Sequence, residues 1–340
     1  MIRIAVDAMG GDRAPEAIVT GTVEAARRAK GRYGVVLVGD TPVVEKELKH
    51  HYFIKDLPVS VVHASQKVEM DESPGMALRK KPDSSIAVAT RLHKEGKVDA
   101  VVSAGNTGAV LAAALFLLKS IRGVLRPAVG SFLPTESGIC FIIDVGTNVD
   151  CKPVHLLQFG MMGSILVSHL LGIKNPRVGL LNIGEESSKG NETVQAAYRL
   201  LQESSLNFSG NIEGRDILQG RADIVVCDGF SGNVLLKFGE SLARMISLTM
   251  KRTIRGNLPG AIGLYLIRPS LRKFFKLFDY QEYGGAPLLG VKGNCIISHG
   301  SSGPRAIRNA IEEAWKMVQE KVAHHIESEI QSMKGTTGEK

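Results

Sequence analysis

Short apolar runs rich in Val and Ile alternate with longer runs of helical period along nearly the whole chain. The runs predict strands at Arg3–Asp7, Val35–Gly39, Val59–His63, Val98–Ser103, Ala128–Leu133, Ile139–Asp144, Arg177–Ile183, Ile224–Cys227 and Cys295–Ser298. Between them the 3.6-residue period predicts helices at about Ala14–Lys30, Val43–His50, Ser84–Glu95, Gly108–Lys119, Pro153–Leu171, Glu192–Glu203, Asn233–Arg252, Ser270–Phe278 and Pro304–Glu329. Strand and helix in regular alternation build a mostly parallel sheet wrapped by helices, a three-layer α/β/α arrangement. Ligands in such sheets sit beyond the carboxyl ends of the strands. Pro153–Leu171 is apolar on nearly every face and reads as a core helix or a subunit contact. The chain reads as one large α/β/α unit over 1–330, with a helical hairpin protruding at 250–280. The polar end, 331–340, is expected to be a disordered tail.

Charge and cysteine content narrow the picture. Among 340 residues, 42 Lys and Arg face 34 Asp and Glu, a net charge of +8 that favours acidic partners of some kind: phosphate, an acidic protein or anionic lipid. Nucleic acid is disfavoured, because no binding motif is present and aromatics make up 5% of the chain, too few for stacking platforms. Cys140, Cys151, Cys227 and Cys295 are widely spaced and form no C-x-x-C pair. They read as buried free thiols rather than a zinc site or a disulfide framework. The first residues, Met1-Ile-Arg-Ile-Ala-Val-Asp7, read as a strand, so no signal peptide is expected, and no apolar run is read as long enough for a membrane span.

The chemistry concentrates in loops that follow the strands. Ser103-Ala-Gly-Asn-Thr-Gly-Ala109 lies between a buried strand and an apolar helix, whose first N–H groups would face the turn. The first strand ends in Asp7-Ala-Met-Gly-Gly-Asp12, which is not a dinucleotide fingerprint. Asp144-Val-Gly-Thr-Asn-Val-Asp-Cys-Lys-Pro153 places Asn148, Asp150 and Lys152 ahead of a helix with Pro in its first turn. Glu185-Glu-Ser-Ser-Lys-Gly-Asn191 offers hydroxyls, one cation and a permissive backbone before a helix, a cradle suited to free phosphate. Asp228-Gly-Phe-Ser-Gly-Asn-Val-Leu-Leu-Lys237 and Ile296-Ile-Ser-His-Gly-Ser-Ser-Gly-Pro304 complete the set. Each alone is also compatible with an ordinary capped turn.

Together with Gly179-Leu-Leu-Asn-Ile-Gly-Glu185 and Tyr283-Gly-Gly-Ala-Pro-Leu-Leu-Gly290, these segments occur in an order that resembles the bacterial phosphate acyltransferases of phospholipid synthesis, the PlsX family. The resemblance spans almost the whole chain. It implies an isocitrate/isopropylmalate-dehydrogenase-like fold, a homodimer, and a cytoplasmic enzyme held peripherally at the inner face of the plasma membrane. The implied reaction converts acyl-[acyl carrier protein] and inorganic phosphate into acyl phosphate and free carrier protein. The product would pass to a downstream glycerol-phosphate acyltransferase. More distantly, the Lys189 loop and the Gly232-Asn233 segment with Lys237 are similar to those of phosphate acetyltransferases.

That reaction asks little of acid–base catalysis. Phosphate has a second pKa near neutrality (about 6 for phosphoryl groups), so much of it is dianionic without a strong base. A thiol of pKa about 8.5 can leave as thiolate. The needs are an anion site, an aimed thioester and donors for the tetrahedral oxyanion. Ser188, Lys189, Gly190 and Asn191 are assigned to phosphate. Asn106, Thr107, Asn148, Asn233 and His299 are assigned to the thioester or oxyanion, with Lys189, Asn106, Asn233 and His299 as the catalytic candidates. Gly105, Gly108, Lys152, Ser231, Gly232 and Lys237 are expected to line the substrate site. No metal or cofactor is required. Basic candidates for the acidic carrier protein are Arg79-Lys-Lys81 and the pair Arg122/Arg126. An apolar tip carrying Leu258, Ile262 and Leu264, with Lys251, Arg252, Arg255, Arg268, Arg272 and Lys273 around it, is expected to rest on an anionic membrane or to form a core or dimer contact. The competing readings are a decarboxylating dehydrogenase of the same fold and a basic non-enzymatic membrane scaffold.

Overall fold

The computed structural model describes residues 1–254 except Phe53, residues 284–336, and Gly263, Leu266, Ile267, Pro269 and Glu282 between them. The expected protrusion beyond Ile254, the expected helix Ser270–Phe278, and Leu258, Ile262 and Leu264 therefore lie outside the described residues. Among the described residues, eleven strands form one sheet: β1 (Ile2–Asp7), β2 (Tyr33–Gly39), β3 (Val59–His63), β4 (Ala100–Ser103), β5 (Ala128–Thr135), β6 (Gly138–Ile143), β7 (Val178–Leu181), β8 (Phe208–Ile212), β9 (Ile224–Val226), β10 (Ala286–Leu289) and β11 (Cys295–Ile297). Their spatial order is β3-β2-β1-β4-β11-β10-β5-β6-β9-β7-β8.

The strands fall into two parallel groups that run in opposite directions. β3, β2, β1, β4 and β11 are mutually parallel. β6, β9, β7 and β8 are parallel among themselves. β10 is antiparallel to both β11 and β5, and β5 is antiparallel to β6, so the direction reverses across this bridge. The register brings the two sets of carboxyl ends to one level. Ile143, the last residue of β6, pairs with Gly130, while Ile297, the last of β11, pairs with Ala286 at the start of β10. The strand direction thus switches where two sets of loops meet, the position at which open α/β sheets bind ligands.

Helices cover both faces. On one side lie α1 (Glu16–Ala29), α6 (Pro153–Leu171), α7 (Glu192–Gln202), α10 (Pro304–Gln319) and α11 (Val322–Thr336), packed on alternate strand residues such as Ile4, Val6, Phe141 and Ile143. On the other lie α3 (Pro74–Lys80), α4 (Ser85–Lys94), α5 (Thr107–Ala113) and α8 (Gly214–Gln219), against Ala5, Val36, Val101 and Ile142. Burial on both faces explains why β2 reads as an unbroken apolar run. In α6, Phe159, Met162 and Leu166 are fully buried, each worth about 1.5–3 kcal/mol. Two further helices are α2 (Thr41–Leu48), near the edge strand β3, and α9 (Gly229–Ile254).

Several expectations need correction. β8 and β10 were not read from the sequence, nor were α3 and α8. β10 contains Pro287, which argues against a central strand. It pairs with β11 but has no partner on β5, where pairing starts only at Leu288. The single helix expected at Pro304–Glu329 is two, broken where Lys321 takes a left-handed φ of 50°. The helix Val322–Thr336 continues past residue 331, where a disordered tail was expected.

Candidate active site

A cavity of about 320 Å³ opens where β10 and β5 part at Pro287. Val129, Ser131 and Phe132 of β5 form one wall and Gly284–Ala286 another. Thr107 comes from the loop after β4, Val145–Thr147 from the loop after β6, and Ile297–His299 from the end of β11. Asn233, Leu236, Lys237 and Glu240 line it from α9, at the spacing that puts them on one helix face. Both halves of the chain therefore build the cavity. Its lining combines polar side chains (Thr107, Ser131, Thr147, Asn233, Lys237, Glu240, Ser298, His299) with apolar ones (Val129, Phe132, Val145, Leu236, Ile297).

The loop after β6 owes its shape to Asp144, which is fully buried. Oδ1 accepts the N–H groups of Val129 (3.3 Å), Gly146 (3.2 Å) and Thr147 (3.1 Å). Oδ2 accepts Asn148 N–H (2.7 Å) and Asn148 Nδ2 (2.9 Å). Burial pushes this carboxyl up from its ordinary value, against the pull of the hydrogen bonds. The start of α9 sits directly on this loop. Gly229 N–H donates to Asn148 O (2.7 Å). A Cβ on Gly232 would stand 1.9 Å from Asp144 O, so only glycine permits this seating. Asp228 caps the helix, taking Ser231 N–H on Oδ1 (2.8 Å) and Ser231 Oγ on Oδ2 (2.9 Å).

The loop after β4 is anchored in the same manner. Ser103 Oγ donates to buried Asp7 (2.7 Å) and accepts Gly105 N–H (3.0 Å). Burial pushes the Asp7 carboxyl up. Asn106 caps α5 by accepting Ala109 N–H (3.0 Å), while its Nδ2 reaches the carbonyls of Met70 (2.9 Å) and Glu72 (3.0 Å). Gly108 leaves room for Pro74, whose Cγ would lie 2.4 Å from an added Cβ. At the end of β11, Ser298 Oγ donates to Gly284 O (3.1 Å). Ser301 N–H donates to His299 Nδ1 (3.2 Å), which makes Nδ1 an acceptor and places the ring proton on Nε2.

Of the residues expected at the site, the cavity is lined by Thr107, Asn233, Lys237 and His299. Asn106 and Asn148, expected to face substrate, are corrected: both amides are engaged in holding loops, Asn148 Nδ2 also reaching Pro127 O (2.8 Å). Gly105, Gly108, Ser231 and Gly232 act as backbone supports rather than lining. Lys152 is exposed just before α6. The Lys189 loop follows β7, which is two strands from β6, roughly 10 Å. Its carbonyls are held inward: Asn182 Nδ2 donates to Lys189 O (3.1 Å), Gln195 Nε2 to Ser188 O (2.7 Å) and Gly190 O (3.1 Å), and Asn211 Nδ2 to Glu186 O (2.8 Å). Ser187, Ser188 and Lys189 are left exposed, and Asn191 caps α7 through Val194 N–H (2.9 Å). Sequence reasoning missed Ser131, Phe132, Thr147, Leu236, Glu240, Gly284, Gly285 and Ser298. The i, i+3, i+4, i+7 spacing from Asn233 could have found Leu236 and Glu240. Lys237 Nζ lies 2.9 Å from Glu240 Oε2, so its charge is partly offset. None of the four cysteines lines the cavity, and burial pushes the Cys140, Cys151 and Cys295 thiols up to about 12.

A family model described as "Fatty acid synthesis protein" matches residues 2–325. The chain is 49% identical over 339 residues to the phosphate acyltransferase of Pelotomaculum thermopropionicum, covering 99% of this chain and 98% of that one. The chain belongs to the phosphate acyltransferase family. The phosphate acyltransferase of Heliobacterium modesticaldum is similar at 50% over 329 residues, covering 97% of this chain and 98% of its own. Among solved structures, a phosphotransacetylase from Streptococcus pyogenes superposes with a TM-score of 0.61 at 17% identity, over 94% of both chains. A 4-hydroxythreonine-4-phosphate dehydrogenase from Klebsiella pneumoniae does so with 0.54 at 16%, over 96% of this chain and 100% of that one. Both share the fold of this family member.

Proposed function

We propose that this chain transfers an acyl group from acyl-[acyl carrier protein] to inorganic phosphate, releasing acyl phosphate and free carrier protein. The observation that carries the reading is a cavity at the switch between the strand groups whose lining combines hydrogen-bonding and apolar side chains. A fatty acyl thioester combines the same two characters. Phosphate attacks the thioester carbonyl directly. A phosphate oxygen bonds to the carbonyl carbon, the carbonyl oxygen becomes an oxyanion, and its collapse expels the thiolate, which takes a proton from water. Donors on Thr107, Asn233 and His299 receive the oxyanion. Ser188 and Lys189, exposed on the loop after β7, capture phosphate with Gly190 and Asn191 and pass it to the cavity, where Lys237 offers a cation beside the thioester. Raised thiols away from the cavity support direct attack over an acyl-cysteine. The test is to incubate the protein with palmitoyl-carrier protein and phosphate and seek palmitoyl phosphate by mass spectrometry. Its absence with active carrier substrate refutes the reading.

Two features support assembly and membrane roles. Phe230, Val234, Phe238, Leu242 and Met245 form an exposed stripe along α9, which a second copy of the chain covers in a homodimer. In the segment after α9, Leu266 and Ile267 are also exposed, and basic residues flank them in sequence. This segment rests on the anionic inner face of the plasma membrane and hands a lipophilic product to a glycerol-phosphate acyltransferase. Leu258→Glu with Ile262→Glu abolishes flotation with anionic liposomes and leaves soluble turnover. A variant that still floats removes the segment as the anchor.

A further inference from the structure

Beside the cavity, two loops build one surface. Gln158 of α6 clamps the 121–127 loop, its Oε1 accepting Leu125 N–H (2.9 Å) and its Nε2 donating to Gly123 O (2.9 Å). Asn148 then ties Pro127 to the loop whose Val145–Thr147 line the cavity. On the outside, Leu125 and Val149 are 52% and 61% exposed. Arg122 and Arg126 in the first loop and Lys152 in the second are exposed as well, and Asp150 is the exposed acid between Val149 and Lys152. Arg32, Arg177, Arg221, Arg305 and Arg308 are each paired with a carboxylate. Among the described residues, no carboxylate lies within ion-pair distance of Arg122, Arg126 or Lys152. Arg126 and Lys152 converge on one place: after burial, their charges are what holds the His155 imidazole below its ordinary value. The other basic run differs. Lys81 is tied to Glu72, and Lys67 beside it to Glu69, so that region carries mixed charge.

We propose that Arg122, Arg126 and Lys152, with Leu125 and Val149 in the two tied loops next to the cavity-lining residues 145–147, are the docking surface for an acidic carrier protein, whose thioester-bearing arm enters over the 144–148 loop. This rests on the transfer reaction proposed above. A small apolar centre within unpaired charge is the anatomy of a transient protein interface. Complementary charge there speeds encounter and weakens with salt.

The test compares two acyl donors that differ only in the carrier: acyl-carrier protein and the acyl thioester of pantetheine. Arg122→Glu with Arg126→Glu should lower kcat/KM for the carrier substrate by about tenfold or more at low salt, through KM. The KM for phosphate and turnover of the pantetheine thioester should stay at wild-type values. Salt should slow the wild type on carrier substrate and leave the variant flat. Unchanged kinetics on the carrier substrate overturns the proposal, as does an equal loss on both donors. A variant that sediments as a smaller species also overturns it, since the patch then joins two copies. Should the reversal fail to fold, Arg122→Ala with Arg126→Ala is tested, with a loss of about threefold expected by the same measure. A wild type that forms no acyl phosphate from either donor defeats the transfer reading itself.

Discussion

Replacing Asp144 by Asn keeps the size of the side chain and changes one oxygen to NH2. That single exchange tests whether the buried carboxylate organises the cavity. Both oxygens accept from donors, three on Oδ1 and two on Oδ2. Whichever way the amide turns, at least two hydrogen bonds are lost and two N–H groups then face an NH2. Bonds to a charged acceptor contribute about 1.5–3 kcal/mol each, so the loss is about 3–6 kcal/mol by the same measure. Removing a buried charge works the other way, because burial pushes this carboxyl up. The donors decide the sign: an amide relieves burial of charge but leaves groups unsatisfied where no water reaches. The cost is a large part of a total stability of about 5–15 kcal/mol. Urea unfolding followed by circular dichroism measures it. Turnover should fall by about a hundredfold in folded protein, as expected when a wall of the site moves by about 1 Å. A variant within 1 kcal/mol of wild type (~1 kcal/mol being one ordinary hydrogen bond) and fully active would refute the reasoning.

Gly232→Ala pushes a methyl against the Asp144 carbonyl. It should cost about 1–3 kcal/mol or more in urea unfolding and reduce turnover; a neutral result would mean that α9 does not rest on the loop as described. Lys189→Ala should raise the phosphate KM or abolish turnover in folded protein, and an unchanged phosphate dependence would remove the loop as the anion site. His93 is held neutral, with Nδ1 at 3.0 Å from Val98 O and Nε2 accepting Asn294 N–H at 3.0 Å, and burial lowers its pKa from 6.5. The unfolded chain therefore takes up the proton first, and stability is lost as pH falls below 6.5. In unfolding midpoints at pH 7.5 and about 5.5, His93→Gln should show a smaller difference than wild type. Dithionitrobenzoate should label native protein slowly at pH 8, a pH below the raised thiol values, and label all four cysteines only on unfolding.

The parallel strands were legible because burial on both faces writes them as continuous apolar runs, as in β2 and β4. The loops after them were legible because glycine, Asn and Ser cluster there. Which of those side chains faces the cavity was not legible. Asn106 and Thr107 are neighbours, yet one is turned inward by the carbonyls of Met70 and Glu72 while the other lines the cavity. Those carbonyls are more than thirty residues away in sequence, so no local pattern encodes the choice. Asp144 was visible at the end of a strand, and four of its five donors are local to its own loop, but the fifth, Val129 N–H, depends on the seating of β5 beside β6. β10 stayed hidden behind Pro287, and with it the parting of strands that opens the cavity.

The position of β11 has a consequence for how this chain is made. β4 lies between β1 and β11, so a growing chain holds β4 with one bare edge from Ser103 until Cys295 emerges from the ribosome. At about 5–20 residues per second this interval is roughly 10–40 s. Throughout it, unpaired N–H and C=O groups of an apolar strand offer a template to any other extended chain. The same late segment brings Gly284–Ala286 and Ile297–His299, two sides of the cavity. A nascent chain therefore carries the outward Lys189 loop long before it can hold an acyl group, and products truncated ahead of residue 284 are inactive and prone to aggregate.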